Sequence, residues 1–366
     1  MDKKMENSVF KRKDWIKSLK LISPGNPLRD GVDLILDARG GALIVVGNPE
    51  KTLPITVGGF PLDIEFTPAR LFELSKMDGA IILNADAKTI LRANALLIPN
   101  PNIPTVNTGS RHQAAERFAK QTGELIIAIS ERRGVVTLYK GDLTYPLKSS
   151  ASIMSRANQA LTTLDSYKQV FNRSLEHLSV LEFTDSVTAS DIANIITRAE
   201  MLKFIEEEID TYIIQLGKDG LLTKWQLLEL MSGVEEIEVL ILKDYLSEEK
   251  LADIPKLLET LKQLKSEQDI LDQFVVMKHL GFNNPDQPLI PRGYRVLDNI
   301  PRLPSPIVEK IVGNYKNLNK LLGAKEEELD KIEGVGKIRA HQIVNCLMRM
   351  KEITKTFSSR NINKIL

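Results

Sequence analysis

The sequence predicts a multidomain chain in which an α/β body with a buried sheet is followed by an all-helical middle and a short helical tail. Three observations predict it. Short β-prone apolar runs alternate with helical stretches only through the first ~150 residues, the usual scale of one domain. Coiled-coil-like apolar spacing takes over from Ile153. The charge also changes sign twice. Residues 1–150 hold 21 Lys and Arg against 16 Asp and Glu, residues 151–291 hold 13 against 24, and residues 292–366 hold 15 against 8. Net charges of +5, −11 and +7 thus hide behind a formal total of +1, and they suggest bodies with different partners. The expected boundaries are 1–150, 151–288 and 289–366. Either basic end suits a polyanion; the acidic middle does not.

The first body shows apolar runs at Gly41–Val46, Ala80–Leu83, Ala95–Ile98, Leu125–Ile129 and Val135–Tyr139. Helical stretches lie between them at Thr67–Ser75 and His112–Gln121, the second followed by the stop signal Gly123. In the second body, Ile153, Ala157, Ala160, Leu164, Tyr167, Phe171, Leu178 and Leu181 repeat at four- and three-residue steps, interrupted by polar Ser174, and predict a long helix with a packing seam. Thr188-Ala-Ser-Asp191 resembles a capping box and opens a helix ending near Gly217. Helical pattern continues over Trp225–Tyr245 and Leu257–Leu280, and Asn283–Pro288 reads as a linker. The third body carries a weak repeat of 32 positions: Ile300-Pro-Arg-Leu-Pro304 matches Ile332-Glu-Gly-Val-Gly336, and Ile311-Val312 matches Ile343-Val344.

Composition narrows the function classes. The chain has 366 residues, 43% of them hydrophobic and 27% charged, which excludes wholesale disorder. Its apolar runs fall far short of the ~20 residues of a membrane helix. Met1–Glu6 leads into no signal-like apolar core, so no membrane association is expected. One cysteine, Cys346, excludes an internal disulfide framework and a cysteine zinc site, and fits a reducing cytoplasm. Neither a Walker-type Gly-Lys-Ser/Thr nor a G-x-G-x-x-G loop is present.

Two kinds of residue pattern could carry chemistry. In the tail, Gly334 and Gly336 flank Val335 between two amphipathic stretches, followed by Lys337 and Arg339. Glycines let a backbone turn approach a ligand, and the amides opening the next helix suit an anion. This resembles the helix-hairpin-helix DNA-binding motif, with Gly334, Val335, Gly336, Lys337 and Arg339 as its DNA-binding residues. Such phosphate contacts position a protein on DNA without reading sequence. The Ile300–Pro304 copy lacks the glycines and reads as a packing partner. In the first body, Asp78-Gly79-Ala80 enters a strand, where a carboxylate can hold a divalent cation beside bare backbone. Thr108-Gly109-Ser110-Arg111-His112 enters a helix and offers a hydroxyl cap, amides and a guanidinium to a phosphate chain.

The order of these motifs, with Leu21-Ile-Ser-Pro-Gly25, Gly58-Gly-Phe60, Leu74–Ala80, Ala115-Glu-Arg117 and Ser130-Glu-Arg-Arg133, resembles the DNA integrity scanning (DisA) family of diadenylate cyclases over nearly the whole chain. The resemblance implies a mixed-sheet N-terminal diadenylate cyclase domain, a central helical spine and a C-terminal tandem helix-hairpin-helix domain. It implies condensation of two ATP into cyclic di-AMP and pyrophosphate, with Mg2+ or Mn2+, in a cytoplasmic homo-octamer whose active sites face each other. It implies regulation by branched DNA such as recombination junctions. Carried onto this chain, Asp78 helps bind the metal and activates the ribose 3′-hydroxyl, and Arg111 and His112 complete the catalytic set, with His112 near the metal. Gly79, Ala80 and Leu97 line the nucleotide; Ser110, Arg111 and His112 hold phosphates, Thr108, Gly109 and Gln113 complete the nucleotide-binding set, and Ser130 and Arg133 reach the phosphate tail. Two departures stand out. Gln113 replaces the second arginine of an Arg-His-Arg motif, and Glu131 stands where an arginine is common after the serine. Each weakens charge neutralisation by roughly 1.5–3 kcal/mol, one to two decades in binding or rate. They leave a catalytically weak or inactive DNA-binding scaffold that keeps ATP or cyclic di-AMP as the alternative.

Overall fold

The computed structural model describes residues 13–264 and 272–365. The chain divides into two compact units, Met1–Gln159 with Ile209–Trp225, and Ala160–Glu208 with Gln226–Leu366.

In the first unit the apolar runs become one mixed sheet: β1 (Ala42–Val46), β2 (Thr56–Val57), β3 (Phe60–Glu65), β4 (Ala80–Leu83), β5 (Thr89–Leu97), β6 (Leu125–Ser130), β7 (Val135–Lys140) and β8 (Leu143–Pro146). Their order is β2-β5-β4-β1-β6-β7-β8, with β3 also pairing β5. The central pair β1–β4 is parallel and the flanking pairs are antiparallel. Strands β1 and β4, and β6 as far as Ile129, are apolar because both faces are covered. Ala42, Ile44, Val46, Ile81, Leu83, Leu125, Ile127 and Ile129 face Leu28, Val32 and Ile35 of α1 (Pro27–Asp37) and Leu71 of α2 (Pro68–Ser75). Leu43, Val45, Ala80, Ile82, Ile126 and Ala128 face Ala115, Phe118 and Ala119 of α3 (Ser110–Thr122). Each of the Leu, Ile, Val and Phe side chains among them contributes about 1.5–3 kcal/mol of burial.

Local signals set the helix ends. Asn26 caps α1 by accepting from Leu28 N, Thr67 caps α2 by accepting from Arg70 N, and Gly123 closes α3 at φ +72°. The run over Ala95–Ile98 proves to be the end of the longer β5. Strands β2, β3 and β8 and helix α1 add to the elements expected from sequence.

Helix α4 (Ser150–Thr184) realises the predicted seam: Ile153, Ala157, Leu164, Phe171 and Leu178 are buried. The capping box before α5 (Ala189–Leu216) is formed, with Thr188 N and Oγ1 donating to Asp191 at 2.9 and 2.6 Å. Trp225–Tyr245 is two helices, α6 (Leu221–Met231) and α7 (Val234–Tyr245), because Gly233 takes φ +74° between them. Leu257–Leu280 covers α8 (Ile254–Leu264) and α9 (Gln273–Leu280), with residues 265–271 outside the described residues. Asn283–Pro288 is no free linker. Pro285 and Gln287 carbonyls accept from Ser190 N and Ala189 N, so the segment supplies acceptors to the opening of α5. Helices α10 (Tyr294–Asp298), α11 (Ser305–Tyr315), α12 (Leu318–Leu322), α13 (Glu326–Leu329) and α14 (Gly336–Ile365) end the chain. Val296, Ile300, Ile311, Val312, Leu329, Val335, Ile343 and Val344 share one core there, so both copies of the repeat pack together.

Candidate active site and candidate nucleic-acid hairpin

Strand register assembles the site. Leu43 pairs Ala80 in the parallel pair β1–β4, and Ala42 pairs Ile129 in the antiparallel pair β1–β6. The start of β4, the start of β1 and the end of β6 therefore lie along one edge of the sheet. Asp78 and Gly79 precede β4, Gly41 precedes β1, and Ser130 ends β6. With strands ~4.8 Å apart, the Asp78 and Ser130 backbones are roughly 10 Å apart across Gly41. The end of β5 adds Leu97 to the same edge, since Ala80 pairs Ala95 antiparallel, but the Leu97 side chain is buried in the core against α3. Gly79 takes φ +89°, and a Cβ there would meet the Ala95 carbonyl oxygen at 2.9 Å, so only glycine lets β4 start this close to β5. Asp78 is exposed and makes no hydrogen bond or ion pair among the described residues.

Helix α3 points its N-terminus toward this edge through Arg111. The Arg111 guanidinium donates to Ile129 O at 3.3 Å and lies over Gly41, where a Cβ would come within 2.5 Å of Nη1. The same missing Cβ would stand 3.2 Å from Glu131 Cβ, which places the carboxylate-bearing departure beside Arg111. The hydroxyl cap expected of Ser110 is not formed. Gly109 is the N-cap, without a side-chain hydrogen bond, and Ser110 is the first helical residue. The first intrahelical bond runs from Gln113 N to Gly109 O at 2.8 Å, so the Ser110, Arg111 and His112 amides have no helical acceptor. That strengthens the anion-binding character of the helix start. Thr108, Gly109 and Ser110 are exposed there, and Ala80 is buried behind Gly79. Gln113 donates from Nε2 to Asn107 O at 2.9 Å, so one amide hydrogen holds the loop before the helix. Arg133 is exposed at the β6–β7 turn and makes no ion pair among the described residues.

His112 is half-buried, with Nδ1 2.9 Å from the Tyr139 hydroxyl. Burial, then Arg111 and Arg133, lower its pKa and keep the ring neutral. Glu116, one turn further on, is buried; Oε2 accepts from Thr105 Oγ1 at 2.5 Å and Asn107 Nδ2 at 2.6 Å, and Oε1 from Lys120 Nζ at 2.7 Å. Burial opposes its charge, but these donors and the Lys120 charge win and hold its pKa at about 2. Arg117 Nε and Lys120 Nζ donate to Ile103 O and Pro104 O, so α3 staples the preceding loop along its length. Gly41, Asn107, Glu116 and Tyr139 are the contributors that sequence reasoning did not assign. Glu116 lay inside a noted motif; the others showed no signal.

No group of three His, Cys, Asp or Glu side chains arranged to hold a metal occurs among the described residues. A magnesium-type ion bound by one carboxylate and substrate phosphates does not need one. Asp78, exposed at the edge and facing no competing cation, fits that donor set.

In the tail, Gly334 and Gly336 take φ +92° and +65°, which make the turn between α13 and α14. Lys337 and Arg339 are exposed beside it, and Arg339 Nη1 donates to Gly334 O at 2.8 Å. Val335 is turned inward: its side chain is buried in the core and its N–H donates to Ile332 O at 3.0 Å. The apolar residue of the hairpin thus anchors it, and only its neighbours face outward. The upstream copy keeps the first half of this turn, because Arg302, 32 positions before Gly334, takes φ +61°, but Pro304, which matches Gly336, takes φ −67°. The repeat is therefore one of backbone at its first turn position and diverges at the second.

The sequence matches two family models, one described as "DisA bacterial checkpoint controller nucleotide-binding" over residues 29–143 and one as "DisA bacterial checkpoint controller linker region" over 147–288. A DNA integrity scanning protein DisA from Symbiobacterium thermophilum is 47% identical over 93% of this chain and 97% of its own. Those from Carboxydothermus hydrogenoformans and Clostridium tetani are each 45% identical over 93% of this chain, covering 97% and 95% of theirs. This chain belongs to the DisA family. Its first unit carries that family's cyclase domain, which makes the chain a nucleotidyltransferase of the diadenylate cyclase type. Among the described residues, no helix is long and apolar enough to cross a membrane.

Proposed function

We propose that the strand-end edge of the first unit binds one ATP and presents it to a second ATP held by another copy of the chain. The ribose 3′-oxygen of each nucleotide attacks the α-phosphorus of the other. Two P–O bonds form, two pyrophosphates leave, and the two hydroxyl protons pass to base or water. Asp78 accepts or orients the 3′-hydroxyl proton and offers the carboxylate for Mg2+ or Mn2+. The metal, when bound, would neutralise phosphate charge. Arg111, the free amides of α3, Ser130 and Arg133 align the triphosphate, and Gly79 and Leu97 bound the adenosine side. Alignment and charge neutralisation are what phosphoryl transfer chiefly requires.

One observation carries this reading: the Arg111 guanidinium lies over Gly41, between the Asp78 and Ser130 strand ends, at an uncapped helix start. Glu131 beside Arg111 favours the second reading, a binding scaffold with little turnover, because it offsets one positive charge. Incubating the full chain with ATP and either metal, then separating nucleotides by chromatography, tests both. Cyclic di-AMP formed by the native chain supports the cyclase; ATP retained without product supports the scaffold.

For the tail, the proposal is a hairpin whose Gly334 and Gly336 backbone, with Lys337 and Arg339, holds DNA phosphates, branched junctions included. Bound DNA would regulate synthesis by favouring one of two states of the assembly. A cytoplasmic homo-octamer with paired sites completes the proposal and is motivated by family membership. Unchanged cyclisation at saturating junction DNA would end the regulatory part, and sedimentation would test the assembly.

A further inference from the structure

The loop from β5 to α3 reaches the proposed phosphate site with little apolar support. Pro104 is exposed and Val106 is 91% exposed, so packing does not hold the last stretch before the helix. Hydrogen bonds do, and they converge on Asn107. Its side-chain amide donates to Glu116 Oε2 at 2.6 Å, its carbonyl accepts from Gln113 Nε2 at 2.9 Å, and its N–H donates to Thr105 Oγ1 at 3.2 Å. Thr105 Oγ1 in turn donates to the same Glu116 oxygen at 2.5 Å. Chemistry allows one arrangement of these groups. An ionised carboxylate and a carbonyl only accept, so Asn107 turns its NH2 group to Glu116, and Gln113 turns its own to Asn107. Lys120 closes the far side of Glu116, donating to Oε1 at 2.7 Å and to Pro104 O at 2.8 Å. Immediately beyond Asn107, Thr108, Gly109 and Ser110 stand exposed.

We propose that Asn107 is a positioning residue for the nucleotide: clamped to α3 by Gln113 and Glu116, it holds the Thr108–Ser110 turn and the free amides behind it in one geometry before ATP arrives. The inference rests on the reading of this edge as the ATP site and adds to it a pre-organised binding state. Such a state matters because a protein whose competent geometry is only partly populated binds with its affinity reduced by that fraction. With no apolar packing behind it, the stretch depends on the clamp for that population. Gln113 then serves the nucleotide through the loop, by its bond to Asn107 O. The departure from arginine at this position removes a positive charge without loosening the turn.

Hydrogen exchange of the full chain without nucleotide, read by mass spectrometry over residues 100–113, together with ATP affinity by calorimetry, tests the clamp. Three variants each cut one part of it. Asn107→Ala removes the donor to Glu116, Thr105→Val removes the hydroxyl shared by Glu116 and Asn107, and Gln113→Met removes the donor to the Asn107 carbonyl. Each should speed exchange in this segment while the rest of the first unit exchanges as in the native chain, which separates positioning from loss of fold. ATP affinity should fall roughly three- to tenfold, as the competent geometry drops to about a third to a tenth of molecules. Thr105→Ser, which keeps the hydroxyl, should restore both readouts. Where one variant speeds exchange throughout the sheet, the other two decide. Native exchange of the segment in these variants overturns the inference, and so does faster exchange with native ATP affinity while Arg111→Ala weakens binding. Native ATP affinity in Arg111→Ala as well would instead overturn the nucleotide reading of this edge.

Discussion

The nucleotide edge of the first unit and the buried polar clusters of the second hold the same residue types in opposite circumstances. In the second unit, Glu182 is fully buried and accepts from Arg295 Nε at 3.2 Å, again from Arg295 Nη2, and from the Tyr245 hydroxyl at 2.9 Å. Asp244 accepts from the backbone N–H groups of Gly293, Tyr294 and Arg295 at 2.7, 2.7 and 2.9 Å, and Arg292 caps the carbonyls of Lys243 and Asp244. These charges are satisfied from within and hold α4, α7 and α10 together. At the edge of the first unit, Arg111 keeps one long bond to a carbonyl, while Asp78 and Arg133 face outward. The contrast teaches how to read charge: where partners are complete it is architecture, and where opposite charges converge at strand ends without partners it awaits a ligand.

The largest expected effect breaks the architectural side. Glu182→Ala leaves the Arg295 guanidinium buried and unpaired, which should cost the second unit about 3–5 kcal/mol in urea unfolding. On the ligand side, Arg111→Ala should leave folding intact. It should lower ATP affinity or turnover by roughly ten- to a hundredfold, the value of a charge-assisted contact. Equal destabilisation of the fold by both substitutions would erase the distinction.

The two units should also respond to pH with opposite sign. Glu116 has its pKa depressed to about 2 from 4.5, so its contribution is present above 4.5 and lost as pH falls toward 2. That amounts to roughly 3 kcal/mol. Asp244 has its pKa raised by burial, and next by Glu182, to about 7, so the folded state prefers the protonated carboxyl. Its contribution is complete below the ordinary 3.8 and is lost as pH rises through 7. The part lost between pH 6 and 8 is about 1 kcal/mol. Urea midpoints of each unit across pH, with Glu116→Gln and Asp244→Asn as references, check both; a common slope would contradict the comparison. The smallest and most pointed effect belongs to Gly41→Ala. Its methyl would come within 2.5 Å of Arg111 Nη1 and push the guanidinium aside. ATP KM should rise about three- to tenfold, the range of a displaced hydrogen bond, with unfolding unchanged. An unaltered KM would place Arg111 outside the nucleotide site.

The parts of this architecture legible in the sequence are those encoded by neighbours in the chain. Strands β1, β4, β6 and β7 announce themselves because burial makes them apolar and β-branched. The seam of α4 does so because one helix face repeats. The short outer strands β2 and β8 and the half-exposed β3 lack that composition, since one face or one edge meets solvent. At the site, Asp78-Gly79 and Arg111-His112 were recognisable as motifs, whereas Gly41 and Tyr139 enter only through the fold. Tyr139 reaches His112 across 27 residues, and Gly41 matters solely because register puts Arg111 over it. Ser110 shows the limit within a motif: the segment was rightly read as a helix start, but whether the hydroxyl or Gly109 takes the cap is decided by backbone angles. The hairpin repeats that lesson, as Arg302 adopts a glycine-like angle that its side chain gives no reason to expect.

Quantifying cyclic di-AMP from ATP and Mn2+ or Mg2+, with the native chain beside Asp78→Asn at matched secondary structure and oligomeric state, tests most directly whether the carboxylate and the Arg111 cradle serve a single triphosphate. Product from the native chain and none from Asp78→Asn is the predicted result. Equal product from the two would contradict it.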